Sequence, residues 1–247
     1  MHTAALRELG LAEEWTYQLL PVPADLLAET VRALPAAGFA GANVTVPHKE
    51  AALALADEAT AAAQAIGAAN TLSFDLGGAI HADNTDAPGL LNALALDVAG
   101  RRAVVLGAGG SARAAVHALS SGGADVQVWN RTPERALALS RELGVAHVAR
   151  PESAEIVVNA TSVGLDSERG EGEAIAALGL EGLEPPAVVV DLVYAAGVTP
   201  VLAWGERTGA RLVDGLEVLV RQGARSFERW TRRSAPLEIM RAAVRER

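Results

Sequence analysis

The chain contains no cysteine, and all but one of its 21 basic residues are arginine. Without cysteine there is no disulfide framework and no thiolate chemistry, and a reducing, cytoplasmic location is expected. Aromatic residues are only 4% of the chain, so its core is expected to be aliphatic. No apolar run approaches the roughly 20 residues needed to span a bilayer. The first residues also lack the basic-then-apolar order of a signal peptide.

Charge and composition narrow the classes of partner. The formal net charge is −9, whereas a nucleic-acid surface normally shows a basic patch or stripe. Half of the residues are hydrophobic and 21% are charged, which is typical of a soluble globular protein. The histidines are scattered, and no Cys or His-x-x-His cluster predicts a metal site. We therefore expect a small-molecule ligand, and neither nucleic acid nor a membrane as partner.

The one lysine, Lys49, follows Pro47 and His48 at the end of the segment 43–49. Arginine keeps its proton in proteins, whereas lysine can release one and take part in proton transfer. Two interpretations are open at this point. The lysine is either a remnant of a composition biased towards arginine, or a group with a chemical role, and its surroundings must decide.

Up to about residue 100 the chain alternates helical and extended patterns. Helices are indicated by apolar residues at helical spacing that end at glycine or proline, and strands by β-branched and aromatic runs. The predicted elements are helices over 3–11, 25–34 and 50–67, strands over 15–20 and 42–46, and a hairpin over 71–82.

From Arg102 the pattern changes to a regular alternation of strands and helices. Continuous apolar runs predict strands that are buried on both faces of a parallel sheet. The predicted strands are 103–106, 126–129, 156–158 and 187–190, and the predicted helices are 112–121, 133–143, 216–230 and 236–247. This order predicts an α/β fold with a doubly wound, Rossmann-type domain.

A glycine-rich loop follows the first of these strands and opens a helix. It fits the dinucleotide pattern G-x-G-x-x-A, in which the first glycine permits the turn and the second lets a pyrophosphate approach the backbone. The alternative is a plain packing turn, but strand, loop, helix and second strand are all in place. The predicted cofactor-binding residues here are Gly107, Ala108, Gly109, Gly110, Ser111 and Ala112.

The residues after the second strand indicate which dinucleotide binds. NAD sites usually place an acidic residue there to accept from the ribose 2′-hydroxyl. This chain has Asn130, Arg131 and Thr132 instead, which suit the 2′-phosphate of NADP. The alternative is that Arg131 merely precedes a helix. Asn159 and Thr161, after another buried strand, are predicted to contact the nicotinamide half, although an ordinary strand-to-loop cap would look similar.

Eight motifs together resemble the shikimate dehydrogenase family in order and spacing, over essentially the whole chain. They are Asn-Val-Thr-Val-Pro-His-Lys at 43–49, Ala-Asn-Thr-Leu at 69–72, Asp-Asn-Thr-Asp at 83–86, the glycine loop at 107–113, Asn-Arg-Thr at 130–132, Asn-Ala-Thr-Ser at 159–162, Asp-Leu-Val-Tyr at 191–194 and Asp-Gly-Leu-Glu-Val-Leu-Val-Arg-Gln at 214–222.

The resemblance implies reversible, NADP-dependent reduction of 3-dehydroshikimate to shikimate by a monomer or homodimer. Lys49 matches the catalytic lysine and Asp86 its paired aspartate, although a plain salt bridge between domains is the alternative. The remaining matches are substrate-binding residues Thr45, Asn70, Tyr194 and Gln222, and Gly215 near the cofactor.

The resemblance also implies a division into two domains with the active site in the cleft between them. Residues 1–86 are expected to form the substrate domain, with the helices of 216–247 packing back on it, and residues 87–215 the NADP-binding domain.

The chain departs from the family pattern at its beginning. The family normally starts with a strand and a Ser-Leu-Ser-Pro loop whose hydroxyls hold the substrate's carboxylate, and here both are absent. A start set too far downstream and a truncated paralogue are the two explanations. Other readings are a paralogue that uses NAD or another cyclic polyol acid, and a non-catalytic NADP-binding protein.

Overall fold

The computed structural model describes residues 1–165, 170–194 and 197–246. The chain divides into two compact units, one formed by Met1–Gly89 with Leu219–Arg247 and the other by Leu90–Val218. None of the helices in the described part of the chain is both long enough and apolar enough to cross a membrane.

The first unit is built on a four-stranded sheet. Its strands are β1 (Gly41–Asn43), β2 (Glu58–Ala59), β3 (Thr71–Phe74) and β4 (Ile80–Asp83). They lie in the order β1-β3-β4-β2, and only the β2–β4 pair is parallel. The hairpin of β3 and β4 confirms the prediction over 71–82. Its helices are α1 (His2–Glu8), α2 (Leu27–Ala33), α3 (Lys49–Ala54), α4 (Ala61–Ile66), the start of α5 (Asp86–Leu94), most of α10 (Gly215–Thr231), and α11 (Leu237–Arg245).

The single helix predicted over 50–67 is wrong, because α3, β2 and α4 replace it. Asp57 donates its backbone N–H to the carbonyl of Ile80 and accepts the N–H of Ile80 at 2.8 Å on its carboxylate. Thr60 donates to Asp83 at 2.8 Å and caps α4 by accepting from the N–H of Ala63. These bonds to the neighbouring strand outweigh the helix propensity of the alanines, which is a weak preference.

The strand predicted over 15–20 is also wrong. Tyr17 stacks on the ring of His2 with 4.2 Å between centroids and donates to the side-chain oxygen of Asn43. Trp15 and Tyr17 pack against an apolar cluster that includes Phe227 and Met240. The aromatic side chains therefore fix this segment by packing and not by a strand ladder.

In the second unit the described residues form a six-stranded sheet in which every neighbouring pair is parallel. This confirms the doubly wound domain, whose strand order is β10-β9-β8-β5-β6-β7. Its strands are β5 (Arg102–Leu106), β6 (Asp125–Trp129), β7 (Ala146–His147), β8 (Ile156–Asn159), β9 (Val188–Asp191) and β10 (Arg211–Val213). Its helices include α6 (Gly110–Ser121), α7 (Pro133–Leu143), α8 (Glu171–Ala177) and α9 (Pro200–Arg207).

The strand order places the site of this unit. The chain runs outward from β5 through β6 to β7 and then returns to β8 on the other side of β5. Ligands of such sheets bind at the carboxyl ends of the strands where the order reverses. Buried valines and a leucine of β5, β8 and β9 pack with leucines, an isoleucine and Trp204 from the elements beside the sheet in a mainly aliphatic core.

Gly41 provides a test of packing in the first unit. The indole N–H of Trp230 donates to the carbonyl of Leu72 at 2.9 Å, and a Cβ on Gly41 would overlap both partners of this bond. We expect Gly41→Ala to lower the free energy of unfolding by about 1–3 kcal/mol, the usual cost of overpacking.

Gly172→Ala is the matched control, since a Cβ there meets nothing within 4 Å and the residue lies in α8. Helix propensity predicts that it is neutral or stabilises the protein by about 0.5–1 kcal/mol. Chemical denaturation of both variants measures the difference. Equal stabilities of the two variants would contradict the packing of Trp230 described above.

Candidate functional site

An ion pair joins the two predicted catalytic residues within the first unit. The Nζ of Lys49 lies 2.8 Å from Oδ2 of Asp86, and the two side chains are 10% and 18% exposed. Lys49 is the first residue of α3 and Asp86 the first of α5. Because both groups are largely withdrawn from water, salt screens their attraction less than it screens a surface pair.

Asn70 holds the other oxygen of the carboxylate. Its amide nitrogen donates to Oδ1 of Asp86 at 2.8 Å and to Oε1 of Gln222 at 3.1 Å, so both of its N–H bonds are used. Its carbonyl oxygen accepts from the backbone N–H of Thr85 at 2.7 Å and lies 3.1 Å from the hydroxyls of Thr71 and Thr85. Asn70 is buried, and this set of bonds fixes which way its amide faces.

Gln222 reaches the same cluster from α10. Its Nε2 donates to the carbonyl of Leu219 at 3.0 Å, and its Oε1 accepts from Asn70. Gly89 lets this helix come close, since a Cβ at that position would lie 2.8 Å from the Cβ of Gln222. The structure therefore brings together four predicted residues, namely Lys49, Asp86, Asn70 and Gln222.

Thr45 lies apart from this hydrogen-bond cluster. It is exposed in the turn before α3, where its carbonyl accepts from the N–H of His48 at 2.9 Å. Among the described residues its hydroxyl joins none of the bonds around Asn70.

The second unit contains a cavity of about 520 Å³ at the carboxyl edge of its sheet. The loop after β5, the residues after β6, the segment 160–165 after β8 and the end of α8 all line it. Of the predicted cofactor residues, the lining includes Gly107, Ala108, Gly109, Asn130, Arg131, Thr132 and Thr161. Gly110, Ser111 and Ala112 belong to the first turn of α6 and do not line the cavity.

The two glycines of the loop differ in what they provide. Gly107 has φ +117°, and a Cβ there would lie 3.0 Å from the carbonyl oxygen of Ala160, so packing and backbone both require glycine. At Gly109 a Cβ would meet nothing within 4 Å. Gly109 is also the N-cap of α6 and makes no side-chain cap bond. Open space beside a helix N-terminus suits a phosphate group.

The charge that lines the cavity is positive. Arg131 and Arg135 both line it, although only Arg131 was predicted from the sequence. Arg131 lies two residues before α7 and Arg135 lies in the first turn of that helix, and no local motif in the sequence pointed to Arg135. No carboxylate among the described residues lines the cavity. The donor set therefore fits an anionic ligand, and a ribose 2′-phosphate in particular.

Asn159 is placed differently from its prediction as a contact residue. It is fully buried and does not line the cavity. Its amide donates to the carbonyl of Val163 at 3.1 Å and to Asp191 at 2.8 Å. Its oxygen accepts from the N–H and the hydroxyl of Thr161 at 3.1 and 2.7 Å. Its hydrogen-bonding groups are thus occupied within the protein.

Asp191, at the end of β9, also has no exposed surface. It accepts from Asn159, from the N–H of Val193 and from the hydroxyl of Thr199. Burial raises the pKa of Asp191 to about 6, and the bonds from Thr199, Val193 and Asn159 act in the opposite direction. Asp191 begins the family motif at 191–194, but no role was predicted for it from the sequence.

Gly215 and Tyr194 both follow Asp191 in the chain, and Gly215 packs against the backbone of Asp191 and Val193. A Cβ on Gly215 would lie 2.7 Å from the carbonyl oxygen of Val193, so glycine permits a close approach of backbones. Tyr194 follows Val193 directly and is half exposed. Neither residue lines the cavity described above. No cluster of three or more His, Cys, Asp or Glu that could hold a metal ion occurs in the described ranges.

Comparison with known families matches three parts of the chain. Residues 1–72 match the shikimate dehydrogenase substrate binding domain. Residues 90–178 match shikimate/quinate 5-dehydrogenase, and residues 215–245 match the C-terminal domain of shikimate 5′-dehydrogenase.

Individual relatives cover nearly the whole chain. The NADP(+) shikimate dehydrogenase of Paracoccus denitrificans is 43% identical over an alignment of 244 residues, and the match covers 93% of this chain and 84% of that protein. The structure of Thermus thermophilus shikimate 5-dehydrogenase with NADP(H) and shikimate is 40% identical, with a TM-score of 0.87 over 99% of this chain and 92% of that one. The 5-ketofructose reductase of a Gluconobacter strain is 28% identical, with a TM-score of 0.84 over 99% and 91%. By these matches, the chain belongs to the shikimate dehydrogenase family.

Proposed function

We propose that this protein catalyses the reversible, NADP-dependent reduction of 3-dehydroshikimate to shikimate. The observation that carries the proposal is the ion pair of Lys49 and Asp86, held by Asn70 in a chain of this family. A binding protein has no need of a shielded ammonium group whose partner is fixed on both oxygens. The expected cytoplasmic location and the monomeric or homodimeric state stay predictions.

Lys49 is the proton donor in this proposal. Reduction of a ketone adds a hydride to carbon and a proton to oxygen, and bound NADPH supplies the hydride. The ammonium group of Lys49 gives its proton to the carbonyl oxygen and takes one back from the hydroxyl in the reverse direction. Asp86 accepts a hydrogen bond from the ammonium group and thereby directs it.

Substrate hydroxyls are proposed to bond to Asn70, Gln222 and Thr45, with Tyr194 as a further contact. Both amide hydrogens of Asn70 are already donated, one to Asp86 and one to Gln222. A substrate hydroxyl that accepts from Asn70 therefore replaces the bond to Gln222. This exchange leaves the carboxylate of Asp86 in place while Gln222 becomes available to the substrate.

NADP is proposed to occupy the cavity of the second unit. Gly109 and the start of α6 would hold the pyrophosphate. The 2′-phosphate would be held by Arg131 and Arg135, with Asn130 and Thr132 as smaller donors. Of the other predicted residues, Ala108, Gly110, Ser111 and Ala112 complete the loop and Thr161 lines the opposite wall.

The direct test is a spectrophotometric assay of shikimate oxidation with NADP and NAD in parallel, repeated with quinate. Turnover of shikimate with a strong preference for NADP supports the proposal. A preference for NAD or quinate favours the paralogue with another substrate. Binding of NADP without any turnover favours a non-catalytic protein.

Loss of the proton donor is expected to slow the reaction and spare the fold. We expect Lys49→Met to lower kcat about 100- to 10,000-fold, the usual range for a general acid. Asp86→Asn keeps the size of the side chain, removes its charge, and should also lower kcat strongly. Steady-state kinetics and a thermal melt of each variant provide the measurement. Near-normal turnover in either variant would rule out the role of that residue.

Gly109→Ala separates cofactor binding from folding. Its Cβ meets no protein atom, so we expect the free energy of unfolding to fall by no more than about 1 kcal/mol, the cost of alanine at an N-cap. The same methyl group occupies the space that the pyrophosphate approaches, so the Kd for NADP should rise about tenfold or more. Gly107→Ala is the comparison, because its φ of +117° and its contact with Ala160 predict a loss of stability as well. The interpretation fails if Gly109→Ala binds NADP as the parent does.

Arg131→Ser tests the choice of cofactor. Loss of a charge-assisted bond is expected to raise KM for NADP about tenfold or more while KM for NAD changes little. Arg141→Ser is the matched control, because Arg141 is an exposed arginine of α7, the helix that follows Arg131, and it does not line the cavity. An equal change in KM for both cofactors, or the same change in the control, would contradict a contact between Arg131 and the 2′-phosphate.

A further inference from the structure

Asp191 is a buried carboxylate to which the proposed reaction gives no role. It follows three buried valines of β9, and within the described residues no cation pairs with it. Burial of a carboxylate costs free energy, and an apolar residue of similar size would fill the same place without that cost. Asp191 is therefore expected to do more than fill space, and the hydrogen bonds of its carboxylate indicate what that role is.

The carboxylate ties together two segments at the carboxyl edge of the sheet. Its Oδ1 accepts from Nδ2 of Asn159 at 2.8 Å and from the N–H of Val193 at 3.1 Å. Its Oδ2 accepts from the hydroxyl of Thr199 at 2.6 Å, and that hydroxyl caps α9 by accepting from Leu202. Asn159 and Asp191 lie opposite each other in β8 and β9. One arm thus reaches β8 and the other the start of α9.

Asn159 connects Asp191 to the segment that follows β8, because its amide bonds to both. One amide hydrogen goes to Asp191 and the other to the carbonyl of Val163, while the amide oxygen accepts twice from Thr161. An amide can satisfy all of these partners in one orientation only. That orientation needs an acceptor at Asp191. The segment 160–165, which Asn159 holds in this way, lines the cofactor cavity over its whole length.

We propose that Asp191 is a positioning residue for the cofactor, which acts through Asn159 to hold the segment 160–165 in the shape that lines the NADP cavity. The inference rests on the proposed function. It reassigns Asn159 from a residue that touches the cofactor to one that shapes its site. A shift of the segment would also change its fit against the glycine loop, since the carbonyl of Ala160 lies close to Gly107.

Three variants separate positioning from stability. Asp191→Ala removes the acceptor for Asn159, and the Kd for NADP should rise about tenfold or more. Asp191→Asn can keep its oxygen towards Asn159 and Val193 with its amide towards Thr199, so the Kd should stay within about threefold. Thr199→Val cuts only the arm to α9, so stability should fall while the Kd stays within about twofold.

The measurement is the Kd for NADP by calorimetric titration, at a temperature where each variant is folded, with the free energy of unfolding in parallel. If Asp191→Ala does not fold, Asn159→Ser makes the same comparison, because it cuts the link and leaves Asp191 bonded to Val193 and Thr199. The positioning role is supported if Asp191→Ala or Asn159→Ser binds NADP weakly while Asp191→Asn and Thr199→Val bind it nearly as the parent does.

Two results would overturn the inference. One is a folded Asp191→Ala or Asn159→Ser variant that binds NADP as the parent does. The other is a Thr199→Val variant that weakens NADP binding as much as these, since the effect would then follow stability alone. A parent that does not bind NADP refutes the proposed function itself, so the two failures are distinguishable.

Discussion

The chemistry proposed for this protein depends on one carboxylate whose two oxygens have different partners. Asp86 accepts from Lys49 on one oxygen and from Asn70 on the other, both at 2.8 Å. Asn70 is fixed in turn by Thr85 and Gln222. Each hydrogen bond in this network has only one possible donor and one possible acceptor. The ammonium group of Lys49 is therefore held in one place. A lone surface pair would lack this definition, since exposed ion pairs lose much of their energy to water and side-chain entropy.

The second unit uses the same principle at a different site. A buried amide, Asn159, is oriented by a buried carboxylate, Asp191, and it fixes a segment that lines the cavity. In both units a buried asparagine is hydrogen-bonded to a carboxylate on one side and to groups at the proposed ligand site on the other. Fully satisfied buried polar groups of this kind are rigid, because each lost bond would leave an unpaired group away from water. Rigidity of this kind is what hydride and proton transfer require of a site.

The fold was predictable from the sequence where a local pattern of residues has only one structural explanation. The glycine loop after a buried strand and the apolar runs of β5, β8 and β9 predicted the parallel sheet. The local structure was not predictable where hydrogen bonds to residues far away in the sequence determine it. One helix was predicted over 50–67 from its alanines, because the local sequence does not reveal the hydrogen bonds of Asp57 and Thr60 to β4. Asn159 was predicted to contact the nicotinamide half, and the local sequence gave no sign that its amide also bonds to Asp191.

A double-mutant cycle on Lys49 and Asp86 tests the central claim most directly. The claim is that the two residues act as one unit in proton transfer, and residues that act as a unit show strongly non-additive losses of kcat. The account predicts that the variant with both Lys49→Met and Asp86→Asn is about as slow as Lys49→Met alone. Losses that multiply in the double variant, with all variants folded, would contradict it.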